Sequence, residues 1–389
     1  MKFKTAGMSP RPEFRVCRDC TTICLFLSAL LLAAPLRAQN AAGKDAQERI
    51  DVDDLSRNFI VHLPKGYDPQ QHYPVVILLH GRNQTAEDME QLTHFNQLAD
   101  RNGVIAIYPN ATRGQWNIGV RPEPLSDMGP RRGYGRRGGW GGYPGGGGGY
   151  PGGGYPGGGG GNPGGGGSQG GGQNGGQNPD DENRKRPEPV DDVAFLNQML
   201  DQLALKYSVD TRRIYATGLG EGGFMALRVG CSMADRVAAI APVGAELPKA
   251  MICLPSRPVP ALFLDGTDDP IVPYGGGTYK PGRFHLLSAE DSAKAWAKFD
   301  RCEEKPAQGK LPAADKGGKE TRTFTFSACH DNAQVALYAV KDAGNTWPGG
   351  EQYTSEKEVG KVSNALNANE TVWSFLVTKK IAGESGVEK

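Results

Sequence analysis

An excess of one charge is the first thing this chain lacks: its 389 residues carry 44 Lys and Arg against 43 Asp and Glu, a formal net charge of +1. So even a balance leaves no electrostatic footprint for nucleic acid. Glycine at every third position is also missing. The 56 glycines fall in runs, such as Gly145 to Gly149 and Gly157 to Gly161, and this excludes a collagen helix. Beyond the first forty residues no hydrophobic stretch is long enough to cross a bilayer. Cysteine is scarce, and the four that lie beyond residue 40 contain no Cys-x-x-Cys pair; only Cys329-His330 are adjacent. A zinc site is therefore poorly provided for, and no metal or cofactor is expected.

What is present begins with an address. Lys2, Lys4, Arg11, Arg15 and Arg18 precede an apolar run from Ile23 through Pro35, and Leu36-Arg37-Ala38 puts a small residue before Gln39. That layout predicts a cleaved signal peptide over 1–38 and a secreted or periplasmic product with no integral membrane span after cleavage. Cleavage removes six basic and two acidic residues and takes the formal charge from +1 to −3. Cys17, Cys20 and Cys24 leave with it, so Cys231, Cys253, Cys302 and Cys329 remain. An even number in an exported chain predicts disulfides. Four cysteines allow three connectivities, and sequential pairing closes the shortest loops.

About half of the glycines lie between Gly129 and Gly176. A segment with so few side chains to bury cannot offset the entropy of ordering itself. We therefore expect three parts: the signal over 1–38, a folded domain over 39–120 and 188–389, and a Gly/Pro-rich disordered insertion over 121–187. The insertion repeats Tyr-Pro-Gly-Gly three times and carries Arg131, Arg132, Arg136, Arg137, Trp140, Tyr143, Tyr150 and Tyr155. Arg and Tyr spaced by Gly are suited to weak contacts with an extracellular polymer, from a position over the cleft mouth.

In the folded part, short apolar strands alternate with amphipathic helices. Strands are expected over 58–63, 74–80, 103–108, 213–217, 237–241, 261–264 and 335–340. Helices are expected over 86–99, 190–205, from 224, 289–299 and 368–377. This alternation predicts an α/β fold, a mainly parallel sheet with helices on both faces. Ligands then sit beyond the carboxyl ends of the strands, so the loops there carry the functional information. Gly218-Leu219-Gly220-Glu221-Gly222-Gly223 lies between a strand and a helix, the context of a nucleophile elbow, G-x-S-x-G. Its centre is Gly220, not serine. Downstream, the strand ending at Leu264 leads into Asp265-Gly266-Thr267-Asp268-Asp269-Pro270, and the last strand into Asp342-Ala343-Gly344-Asn345-Thr346-Trp347.

Six stretches together resemble the secreted poly(3-hydroxybutyrate) depolymerase and feruloyl esterase type of α/β-hydrolase. They are Leu79-His80-Gly81, Val190-Asp191-Asp192-Val193, Tyr215-Ala216-Thr217-Gly218-Leu219, Gly222-Gly223-Phe224-Met225-Ala226, Pro270-Ile271-Val272-Pro273-Tyr274 and Thr346-Trp347-Pro348-Gly349-Gly350. In that family the elbow reads Gly-Leu-Ser-Asn-Gly-Gly and the last loop Gly-Gly-His-Thr-Trp-Pro-Gly-Gly. The resemblance implies an ester hydrolase with its nucleophile at Gly220, its acid at Asp269 and its base at Asn345. Only the acid is retained. It also supports bridges among the four cysteines, and it implies oxyanion-hole donors in the backbone N–H groups of Arg82 and Glu221. His80, Trp116 and Trp347 are expected to border the cleft and touch substrate.

Glycine offers no oxygen for an acyl-enzyme, and an asparagine cannot shuttle a proton near neutral pH. Among possible substitutes, Glu221 breaks the elbow pattern, His330 precedes the last strand and so lies at its far end, and His285 is expected at the start of a helix. Two expectations follow. The first is an impaired pseudo-esterase that binds an ester-containing small molecule or polymer. The second is an active carboxylic-ester hydrolase with a non-standard catalytic arrangement.

Overall fold

The computed structural model describes residues 43, 45–123, 190–313 and 319–382. Among these, ten strands form one sheet in the order β1-β2-β4-β3-β5-β6-β7-β12-β11-β10. They are β1 (Asp45–Val52), β2 (Leu55–His62), β3 (Tyr73–Leu79), β4 (Ile105–Pro109), β5 (Val209–Leu219), β6 (Ala239–Val243), β7 (Ala261–Gly266), β10 (Ala307–Leu311), β11 (Thr321–Phe326) and β12 (Val335–Val340). A hairpin of β8 (Gly277–Tyr279) and β9 (Phe284–Leu286) stands apart from it.

The centre, from β4 through β3, β5, β6 and β7 to β12, is parallel, and antiparallel strands close both sides. Parallel strands are covered on both faces, so they read as unbroken apolar runs. β3, Tyr-Pro-Val-Val-Ile-Leu-Leu, is buried throughout. Its alternate side chains feed two cores. Val75, Ile77 and Leu79 join α3 (Asp192–Lys206), α4 (Glu221–Ser232) and α5 (Ala289–Phe299) on one face. Val76 and Leu78 join α1 (Ala86–Thr93), α2 (Phe95–Asn102) and α7 (Ala368–Leu376) on the other. The short α6 (Glu356–Val359) lies in the loop after β12.

Helix starts follow local chemistry. Thr85 and Asp88 form a capping box at α1. Asp191 caps α3, Ser288 caps α5 and Asn367 caps α7, each accepting from a backbone N–H in the first turn. The single helix expected over 86–99 is two, broken where His94 turns left-handed at φ 50°. His285 lies in β9, not at the start of a helix. The cysteines join in sequence order as Cys231–Cys253 and Cys302–Cys329. Closing loops of 22 and 27 residues stabilises by about 3 kcal/mol each, through restriction of the unfolded chain. The Gly-rich stretch, together with the signal, falls outside the described residues.

Where α4 leaves the sheet, glycine is obligatory for a reason of space. A Cβ on Gly222 would stand 2.0 Å from the Leu79 carbonyl oxygen and 2.6 Å from that of His80. Both are backbone atoms of the central strand and its exit, so neither can yield. Gly222→Ala is expected to destabilise the fold by about 3 kcal/mol, measurable as a lowered urea midpoint with unchanged slope. An unchanged midpoint would show that α4 can back away from β3 freely.

Candidate active site

Four strand ends converge on one cleft. β3 delivers Gly81 and Arg82, β5 delivers Gly220, β7 delivers Asp269 and β12 delivers Asn345. The turn at Gly220 has φ 56° and ψ −113°, a conformation that costs glycine little and other residues considerably more. Its N–H donates to the Val243 carbonyl at 2.9 Å, and α4 begins at the next residue.

Asn345 faces this turn. Its Nδ2 donates to Asp269 Oδ2 at 2.7 Å and to the Gly244 carbonyl at 3.1 Å. Asp269 is fixed in turn, because its Oδ1 accepts the N–H groups of Ile271 and Val272, both at 2.8 Å. Burial raises the Asp269 carboxyl to about 6, against the pull of these hydrogen bonds. A Cβ built on Gly220 would lie 2.8 Å from Asn345 Oδ1. Gly220, Asn345 and Asp269 therefore meet in that order, with the Asn345 amide giving an N–H to Asp269 and turning its oxygen toward Gly220.

A cavity of about 340 Å³ opens over this point, lined among others by Arg82, Gly220, Glu221, Tyr279, Asn345 and Tyr353. Neither the Arg82 nor the Glu221 backbone N–H has a partner among the described residues. Their side chains pair, Arg82 Nη1 donating to Glu221 Oε1 at 3.1 Å. Glu221 Oε2 is buried with no hydrogen-bond partner among the described residues. Burial, opposed by Arg82, moves its carboxyl up to about 7.

Three side chains expected at the substrate surface are elsewhere. His80 is fully buried, its Nδ1–H donating to Gly81 O at 2.7 Å while Nε2 accepts from the Ala111 N–H at 3.0 Å. Burial lowers its pKa. Trp116 is 4% exposed and donates to the His80 carbonyl; Trp347 is 1% exposed and donates to Asn369 Oδ1. All three brace the loops from behind, because aromatic and imidazole bodies next to a strand end gain more from the core than from the cleft. None of the chain's six histidines lines the cavity.

Sequence reasoning missed Tyr279, Tyr353 and a buried acidic group behind the site. Tyr279 arrives on the β8–β9 hairpin. The Tyr353 hydroxyl donates to the Asn345 carbonyl at 3.0 Å. No motif marks either residue. Glu246 and Asp265, each 1% exposed, lie behind Asp269 and each has one carboxyl oxygen without a partner among the described residues. Their pKa values are raised, Asp265 to about 8, by burial first and then by neighbouring carboxyls.

Residues 57–118 match the family described as Esterase PHB depolymerase; the match runs from within β2, past the loop that supplies Arg82, to beyond β4. Over this stretch the chain is similar to that family. A protein named "Putative esterase NocK" from Nocardia uniformis subsp. tsuyamanensis is 24% identical over 314 residues, 78% of this chain and 74% of that protein. Feruloyl esterase B of Piromyces equi is 39% identical over 165 residues, 40% of this chain and only 29% of the relative. Among solved structures, an acetyl xylan esterase from Aspergillus awamori aligns at a TM-score of 0.45 and 12% identity over 77% of this chain and 94% of its own. What separates this chain from a serine–histidine–acid triad is local: a hydrogen atom at Gly220 and an amide at Asn345.

Proposed function

We propose that this protein is an exported, catalytically impaired relative of ester hydrolases that binds an ester-containing small molecule or polymer in its cleft without cleaving it. The observation that carries this reading is the elbow itself. Gly220 holds the nucleophile's backbone conformation but has no oxygen to attack a carbonyl, and Asn345 keeps the base's link to Asp269 but cannot take up a proton. The free Arg82 and Glu221 N–H groups still suit a carbonyl oxygen. Two disulfides and the leader over 1–38 agree with an oxidising, exported location.

The second reading, an active hydrolase with a rearranged centre, rests on Glu221. Its carboxyl titrates near 7 beside the elbow, a range useful for proton transfer. Against it, Oε1 is held by Arg82, and the cavity contains no imidazole to relay a proton.

Hydrolysis of a short nitrophenyl ester separates the two. The mature protein and Glu221→Ala are expected to show the same slow rate, without an acyl burst. Turnover by the parent at ordinary enzyme rates, on the order of 10 s⁻¹, abolished by Glu221→Ala, establishes the second reading instead.

A further inference from the structure

An asparagine in place of the base changes what the cleft floor asks of a ligand. The Asn345 amide can be oriented from its partners: the Gly244 carbonyl can only accept, so the nitrogen must face it. Oδ1 then points toward Gly220, within 2.8 Å of where a Cβ would stand. No donor among the described residues reaches this oxygen. The side chain is 3% exposed and lines the cavity, so a molecule in the cleft is what can satisfy it.

Next to it, Glu221 opens the twelve-residue α4 directly after Gly220, and its N–H and that of Arg82 are unengaged. The floor thus presents two donors and one acceptor to the same small volume. An ester group brings acceptors alone, which suits the N–H pair but leaves Oδ1 facing an ester oxygen. A carboxylate brings acceptors and a negative charge close to Asp269 and Glu221, while the Arg82 guanidinium is already committed to Glu221. A primary carboxamide brings a carbonyl for the N–H pair and an N–H for Oδ1.

We propose that the floor of this cleft binds a neutral head group with a donor and an acceptor side by side, a primary carboxamide or a protonated carboxylic acid, in preference to an ester. The tail lies along the wall formed by Ile271, Tyr279, Pro281 and Tyr353, which suits an aromatic or short alkyl group. This rests on the binding reading above and narrows its ligand class.

The test removes donors from the ligand first and the acceptor from the protein second. Benzamide, N-methylbenzamide, N,N-dimethylbenzamide, benzoate and methyl benzoate are titrated calorimetrically into the mature chain. Benzamide is expected to bind about 10-fold more tightly than the dimethylamide and the methyl ester, the penalty of an unmet buried acceptor. Benzoate is expected to gain affinity as pH is lowered toward its own pKa. In Asn345→Ala the gap between benzamide and methyl benzoate closes. Equal binding of benzamide, its dimethylamide and the ester overturns the preference while the binding function stands. Steady cleavage of methyl benzoate overturns the impaired-enzyme reading, and the relative affinities still decide the preference. No binding by any of the five overturns both.

Discussion

The double variant Gly220→Ser, Asn345→His is expected to hydrolyse a short nitrophenyl ester about 10³-fold faster than the parent chain, within the range attributed to a working base and nucleophile. The geometry supports gain of function because the surrounding parts are in place. Asp269 is anchored by two backbone N–H groups and already binds the residue at 345 through a 2.7 Å hydrogen bond. An imidazole there would present Nδ1 to the same oxygen and project Nε2 past the present Oδ1 toward the elbow. Gly220 already makes a sharp left-handed turn into α4, and the Arg82 and Glu221 N–H groups remain without partners among the described residues.

Neither single change should suffice. Gly220→Ser alone drives its Cβ to 2.8 Å from Asn345 Oδ1, and that amide is pinned by two hydrogen bonds, so the serine gains strain and no base. Asn345→His alone has nothing to activate. Both single variants are expected within about 10-fold of the parent, a non-additivity typical of residues that act as a unit. A folded double variant with the parent's rate would show that the cleft no longer holds an ester carbonyl between the elbow and the N–H pair.

The positions that matter here were legible because they follow strands. A buried run such as Tyr73–Leu79 can be recognised from its composition, and so can the glycine turn, the acidic loop and the last loop that follow their strands. What could not be read was direction. His80, Trp116 and Trp347 stand in the right loops, yet each turns inward, and the deciding partners are the Ala111 N–H, the His80 carbonyl and Asn369, all of them distant in sequence. β1 and β10 escaped for the opposite reason: both are edge strands dominated by exposed polar residues, so they lack the apolar run that marks the centre. The break at His94 depends on one left-handed residue that no periodicity announces. Arg57 and Asp192, two buried charges 2.6 Å apart, tie β2 to α3 across 135 residues of sequence, and Asp192 also accepts the Asn117 N–H. Tyr279 and Tyr353 reach the cleft from segments without any motif.

The second large effect is on stability, which should fall as pH rises from about 5 to about 8. Burial raises the carboxyls of Asp269 to about 6, Glu221 and Asp300 to about 7 and Asp265 to about 8, and it raises Glu246 well above its ordinary value. In each case the folded state keeps a proton that the unfolded chain, with carboxyls near 4, has already released. The unfolded state therefore binds fewer protons across this window, and stability declines with pH through it. It is fully present below the unfolded value and lost by the time pH passes the folded one. Each unit of elevation corresponds to about 1.4 kcal/mol, so several such groups together outweigh a typical single mutation. On the acid side the sign reverses at His80, whose lowered pKa means that folding refuses a proton the unfolded chain takes up below about 6.5. A stability maximum at mildly acid pH results. The urea midpoint is expected to be lower by about 1 M at pH ~8.5 than at pH ~5.5. Asp265→Asn should flatten that decline, because an amide keeps an oxygen for the Ala245 N–H that Asp265 now binds at 3.1 Å and has no proton to lose. A midpoint that stays level or rises between those two pH values would mean that Glu246, Asp265 and Asp269 ionise without penalty, and that water reaches the group behind Asn345.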